Sequence, residues 1–159
     1  MRKLLTLVVV VAVAAGAAAY VWHTSPPWFE RIRYPLHYSE SKFRADAESS
    51  SGAIGLMQLT PSTARGIAIR TGGSRFRTND LYNPEINIRY GAWYLGNLFQ
   101  KYGSERLVLA AYNAGQGNVD AWRAKGEAIQ FPETRAYVHR VEHLKHVYRK
   151  AWASELGYQ

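Results

Sequence analysis

The apolar positions of the chain recur at the spacing of α-helices, and no long stretch alternates with the period of two that is typical of strands. The clearest pattern lies near the C-terminus. Five apolar residues there follow one another at intervals of three and four: Val138, Val141, Leu144, Tyr148 and Trp152. This spacing predicts a helix over residues 132–152 that buries one stripe of side chains against the rest of the domain.

Start and stop signals divide the remaining pattern into further helices. Thr60 and Asn83 each stand before a proline, and this pair of residues is typical of an N-cap followed by the first helical position. Gly72 and Gly103 provide the corresponding stops. The predicted helices cover about residues 61–70, 84–102, 105–113 and 117–124, in addition to 132–152. The sequence therefore predicts an all-α fold.

The N-terminal segment has the pattern of an export signal. Arg2 and Lys3 precede an apolar run from Leu4 to Trp22, which is also long enough to span a membrane. We predict a signal peptide or membrane anchor over residues 1–22, with the rest of the chain exported to the cell envelope. Residues 23–35 contain three prolines and are predicted to be a linker, so that the folded domain covers residues 36–153.

The composition of the chain excludes several kinds of functional site and partner. The 159 residues are enough for one domain, and the lack of cysteine excludes disulfides, iron–sulfur sites and thiol nucleophiles. Twenty Lys and Arg against twelve Asp and Glu give a net charge of +8, which favours an anionic partner. Export disfavours nucleic acid as that partner. His139, His143 and His146 have a spacing that a metal could use, but we interpret them as a solvated face and predict no metal and no cofactor.

Three segments place glycine or polar residues beside strongly apolar ones, where polar groups need partners or a ligand: 40–58, 111–115 and 131–138. Five motifs span these segments and the helix between them: ESKF at 40–43, GAIGLMQLTPSTA at 52–64, NPEINIRYGAWYL at 83–95, AYNAGQGNV at 111–119 and FPETRAYV at 131–138. In this order, over about residues 40–152, they resemble the soluble lytic transglycosylase family, lysozyme-like enzymes that cleave peptidoglycan. The resemblance implies a lysozyme-like fold and peptidoglycan glycan strands as the substrate. We also predict that the chain is a monomer.

The resemblance also assigns roles to individual residues. It implies that Glu40 is the catalytic residue, which first protonates the glycosidic oxygen and then accepts the proton of the C6 hydroxyl of N-acetylmuramic acid. Such an acid needs a raised pKa, which apolar surroundings would supply. The implied substrate-binding residues are Ser49, Gln58, Tyr112, Asn113, Glu133 and Tyr137.

One feature departs from the family pattern. A long apolar helix precedes the catalytic Glu in the family, whereas here residues 36–39 alone separate Glu40 from Pro35. We therefore predict a shortened N-terminal part of the domain, in which the linker residues Trp28, Phe29 and Ile32 could form a substitute wall. An internally deleted form of a longer product and an inactive peptidoglycan-binding protein are the alternatives. A hydrolytic muramidase is a further alternative, and the membrane is a partner if residues 4–22 are not cleaved.

Overall fold

The computed structural model describes residues 27–151, with side chains from residue 31 onward. Within that range the chain forms six α-helices and one short 3₁₀ helix. The α-helices are α1 (Pro27–Ser41), α2 (Pro61–Thr71), α3 (Pro84–Tyr102), α4 (Glu105–Ala114), α5 (Gln116–Ala124) and α6 (Pro132–Ala151), and the 3₁₀ helix covers Thr78–Tyr82. The all-α prediction is confirmed for this part of the chain.

The helix boundaries follow from local capping. The Thr60 hydroxyl accepts a hydrogen bond from the backbone N–H of Thr63, and the Asn83 side chain accepts bonds from Glu85 and Ile86. Gly72 and Gly103 end α2 and α3 in the left-handed conformation, which glycine adopts without steric cost. The starts and stops that the sequence predicts for these two helices are confirmed.

The predicted linker is corrected by α1. Residues 27–35 are helical and belong to the packed domain, although Pro35 lies inside the helix. Proline removes a backbone donor and normally disfavours a helix interior. Burial outweighs this cost, because the side chains of Ile32 and Leu36 are fully buried in the core. Ile32, one of the three residues named for a substitute wall, is thus part of the core.

The predictions for the first residues lie outside the described range. Three predictions cannot be compared with the structure for this reason: the signal peptide or anchor over residues 1–22, the first part of the linker, and the side chains of Trp28 and Phe29. Between residues 27 and 151, none of the helices combines the length and the apolar character needed to cross a membrane.

The core lies where α1 and α4 pack against α6, and α3 packs against α4. Four consecutive residues of α4, numbers 108–111, are completely buried at its centre. On α6, Val138 and Val141 are buried and Leu144 and Tyr148 are partly buried, as the apolar stripe predicts, while Trp152 lies outside the described residues.

The three histidines of α6 point away from that core. His139, His143 and His146 are exposed to solvent. Among residues 27–151, no group of three His, Cys, Asp or Glu side chains could hold a metal ion.

The packing of α1 predicts a measurable cost of truncation. Replacing Leu36, which has no exposed surface, by alanine should lower the free energy of unfolding by about 2–4 kcal/mol, because it leaves a cavity in the core. Ile69→Ala is the control, since that side chain is 76% exposed and should change stability by less than about 0.5 kcal/mol. Urea unfolding measures both. Equal costs for the two variants would show that α1 does not pack as described.

Candidate active site

Glu40 lies in the last turn of α1, where that helix packs against α6. The hydroxyl of Tyr137, on α6, donates a hydrogen bond of 2.5 Å to Oε1 of Glu40. The next residue, Ser41, fixes the end of the helix: its hydroxyl lies 3.0 Å from the carbonyl of Leu56 and 3.2 Å from that of His37. The carboxyl is therefore held between a helix end, a loop and a neighbouring helix.

Burial controls the protonation of Glu40. Desolvation raises the pKa of its carboxyl from 4.5 to about 7, against the opposing effects of the Tyr137 hydrogen bond and the Arg140 charge. The prediction of a raised pKa is confirmed. A substantial fraction of the side chains therefore carries a proton at neutral pH, as a general acid requires.

Tyr112 stands beside this carboxyl. Its ring packs against that of Tyr94 at 5.6 Å between centroids, and its hydroxyl donates a 2.7 Å hydrogen bond to the carbonyl of Met57. Burial, and then the nearby charge of Glu40, raise the pKa of Tyr112 well above its ordinary value. Burial and the same carboxyl also raise the pKa of Tyr137. Both phenols are thus neutral donors: Tyr137 donates directly to Glu40, whereas Tyr112 donates to Met57 and interacts with Glu40 through its charge.

Gln58 lines the cleft and at the same time supports its own loop. Its side-chain nitrogen donates to the carbonyls of Gly55, at 3.0 Å, and Ala47, at 3.2 Å. With Tyr112 and Asn113 it borders a cavity of about 250 Å³. Thr60, Thr63 and Tyr94 complete the polar and aromatic lining of this cavity. Hydroxyls, amides and aromatic rings together suit a carbohydrate ligand.

Of the other predicted binding residues, Asn113 belongs to the lining of this cavity, and Glu133 and Ser49 do not. Asn113 is exposed, and its side-chain oxygen accepts a 2.8 Å hydrogen bond from the buried Thr134. Glu133 is exposed in the first turn of α6. Ser49 accepts a bond from the backbone N–H of Ala53 and pairs with Ser51, so its described hydrogen bonds stabilise a turn and do not reach Glu40.

Asn87 is the main residue that the motif analysis did not single out. It is completely buried on α3, where its oxygen accepts from the N–H of Met57 and its nitrogen donates to the carbonyls of Ile54 and Leu81. The bonds to Met57 and Ile54 hold the loop that carries Gln58, and the bond to Leu81 ties α3 to the 3₁₀ helix. The sequence did contain a signal for this residue: Asn87 is polar but lies between Ile86 and Ile88, on the face that the helix buries.

Two glycines allow this close packing. Gly55 has a φ of +79°, and a Cβ on it would overlap the Asn87 side chain. Gly91, on α3, leaves room for Met57, because a Cβ there would overlap the Met57 sulfur. The loop between α1 and α2 is therefore pressed directly against α3.

Comparisons with known proteins agree with this geometry. The family model described as the transglycosylase SLT domain matches residues 29–132. The soluble lytic murein transglycosylase of Salmonella typhimurium is 37% identical over 114 residues, which cover 64% of this chain and 18% of that protein. The chain thus spans about a fifth of the length of the curated relatives it matches.

Solved structures show the same fold. The 70 kDa soluble lytic transglycosylase of Escherichia coli superposes with a TM-score of 0.69 at 32% identity, over 76% of this chain and 21% of that one. An inactive Glu-to-Gln mutant of the lytic transglycosylase Slt of Pseudomonas aeruginosa gives a TM-score of 0.65 at 37% identity, with the same coverage. The fold is therefore lysozyme-like, and the chain belongs to the transglycosylase SLT domain family.

Proposed function

We propose that this chain is a peptidoglycan lytic transglycosylase that cleaves the β-1,4 bond between N-acetylmuramic acid and N-acetylglucosamine. The observation that carries the proposal is the surroundings of Glu40. Within the described residues, the side chains that act on its pKa are a phenol and a guanidinium, Tyr137 and Arg140, and no second carboxylate raises it further. Glycosidases that hydrolyse their substrate generally use two carboxyl groups, one of which activates water or attacks the sugar.

The first step uses Glu40 as an acid. Its proton passes to the glycosidic oxygen as the bond between that oxygen and C1 of the muramic acid breaks, and the bonding electron pair stays on the departing oxygen. The carboxyl is then an anion beside a positively charged sugar. The Tyr137 hydroxyl, which already donates to Oε1, stabilises that anion.

The second step uses the same side chain as a base. The Glu40 carboxylate accepts the proton of the C6 hydroxyl while the C6 oxygen bonds to C1. The product is a 1,6-anhydro sugar, no water is consumed, and Glu40 is protonated again. One carboxyl suffices because the nucleophile belongs to the substrate, and a pKa near 7 suits a group that must both give and accept a proton.

The cavity bordered by Tyr112, a phenol on which the charge of Glu40 acts, supports a role for its lining in holding the glycan. Gln58, Tyr112 and Asn113 border it, so we assign these residues to sugar binding. We place Glu133 and Ser49 at the margins of the same groove, where they would contact the strand further from the cleaved bond. Tyr137 acts on the sugar through Glu40, with which it shares a hydrogen bond.

Murein lies in the cell envelope, and we propose that this protein acts there. The names of relatives support the location, since one of them is the membrane-bound lytic murein transglycosylase F of Pseudoalteromonas translucida. The net charge of +8 would favour contact with an anionic wall. The signal or anchor over residues 1–22, the monomeric state and the absence of nucleic-acid binding remain predictions of the sequence.

Digestion of purified sacculi tests the reaction. The protein should release fragments that end in anhydro-muramic acid, each lighter by one water than the hydrolytic product, as measured by mass spectrometry. Glu40→Gln should lower turnover by at least about 10³-fold while glycan binding is retained. Glu127→Gln is the matched control, because it removes an exposed carboxyl from the segment between α5 and α6. Products of full mass would identify a muramidase, and binding without products would identify an inactive binder.

The pKa of Glu40 predicts how the reaction depends on pH. The free protein needs a protonated Glu40 to begin, so kcat/KM should fall above pH 7 with a slope of a single ionisation. Initial rates on soluble glycan fragments between pH 5 and pH 9 give this profile. A rate that stays constant through pH 9 would contradict the role of Glu40 as the acid.

Stability should change with pH in the direction set by the same group. Because the pKa of Glu40 is higher in the folded chain than its ordinary 4.5, its stabilising contribution is complete below pH 4.5 and is lost as the pH rises through 7. Glu40→Gln should therefore be more stable than the wild type at pH 8, by up to about 3 kcal/mol, with an advantage that shrinks toward pH 4.5. Urea unfolding at a series of pH values measures the difference. An advantage that does not vary with pH would show that the Glu40 carboxyl is not desolvated.

A further inference from the structure

Arg140 lies one helical turn after Tyr137 on α6 and reaches across to the end of α1. Its Nε donates a hydrogen bond of 2.9 Å to the hydroxyl of Ser39, which directly precedes Glu40. Its guanidinium carbon lies 5.6 Å from the centre of the Tyr137 ring. One side chain thus contacts both the neighbour of Glu40 in sequence and the residue that donates to its carboxyl.

The other groups that face Glu40 carry no charge at neutral pH. Tyr137 on α6 and Tyr112 on α4 are phenols with raised pKa values. His37, on the same helix as Glu40, is buried, and desolvation followed by the charge of Arg33 lowers its pKa to about 3. Between residues 31 and 151, Arg140 is the cation whose charge acts on the Glu40 carboxyl.

We propose that Arg140 is a positioning residue, which holds Ser39 and Tyr137 in place and stabilises the carboxylate of Glu40 between the two proton transfers. This inference rests on the proposed transglycosylase reaction, because only a carboxyl that ionises and recovers its proton in each cycle needs such a partner. The neutral acid required by the first step comes from burial. The anion that follows would be costly in the same surroundings without a nearby cation.

The geometry favours arginine over lysine at this position. A guanidinium can donate through Nε to Ser39 while its planar group lies near the Tyr137 ring. A lysine ammonium carries the same charge but lacks this planar group with several fixed donors. Arg140 is exposed, so solvent screens its charge and its effect on Glu40 is moderate. Charge and hydrogen bonding can therefore be separated by substitution.

A titration of Glu40 tests the proposal without relying on activity. The ¹³C resonance of the Glu40 carboxyl, assigned by its loss in Glu40→Gln, is followed against pH in the full chain. In Arg140→Gln we expect the pKa of Glu40 to rise by about 0.5 to 1, because the favourable charge is removed. Arg140→Lys should keep most of the wild-type value. Arg149→Gln, which removes the same charge from an exposed site two to three turns further along α6, should leave it unchanged.

Digestion of sacculi then distinguishes the two proposals. In Arg140→Gln the alkaline limit of kcat/KM should move upward by the same amount as the pKa of Glu40, and kcat should fall severalfold. Urea unfolding of this variant should match that of the wild type, which shows that the variant is folded. If the wild type does not digest sacculi, the proposed function fails and the titration still tests the effect of Arg140 on Glu40. If the wild type is active and Arg140→Gln has the wild-type titration and pH profile, the role of Arg140 is overturned.

Discussion

The site depends on the withdrawal of one carboxyl from water at the junction of α1 and α6. The Tyr137 hydroxyl donates a hydrogen bond to this carboxyl, and burial together with the charge of Glu40 raises the pKa of Tyr112. Desolvation works against ionisation of Glu40, and the Tyr137 hydrogen bond and the Arg140 charge work in favour of it. The resulting pKa near 7 is a balance between two opposing effects, and it suits a residue that serves as acid and base in turn.

A second constraint keeps the loop between α1 and α2 in position. Asn87 satisfies three backbone groups of the surrounding segments from a completely buried position, and Ser41 connects the end of α1 to Leu56. Unpaired polar groups in such a place would be costly, so the bonds must form together. The loop therefore brings Gln58 to the cleft with little freedom, although it contains almost no regular structure.

The helices of this domain could be predicted where local chemistry decides them. Thr60, Asn83, Gly72 and Gly103 act through contacts with residues close in sequence, and their signals were sufficient. The first helix could not be predicted in this way. Pro35 argues against a helix, and what outweighs it is the burial of Ile32 and Leu36 against distant helices, which depends on the tertiary fold.

The candidate site shows the same division. The family motifs identified Glu40, Tyr112 and Tyr137, which the fold brings together. They did not reveal Asn87, which pairs with backbone groups about thirty residues away. They named Ser49 as a substrate-binding residue, and its hydroxyl closes a turn.

The bare backbone of Gly91 has an effect far from its own position. It admits Met57, and the carbonyl of Met57 receives the hydroxyl of Tyr112. A single added methyl group on α3 would push the thioether outward and carry that carbonyl with it, so the phenol beside the acid would lose its anchor. The shape of the cleft therefore depends on a buried position on α3 that does not line it.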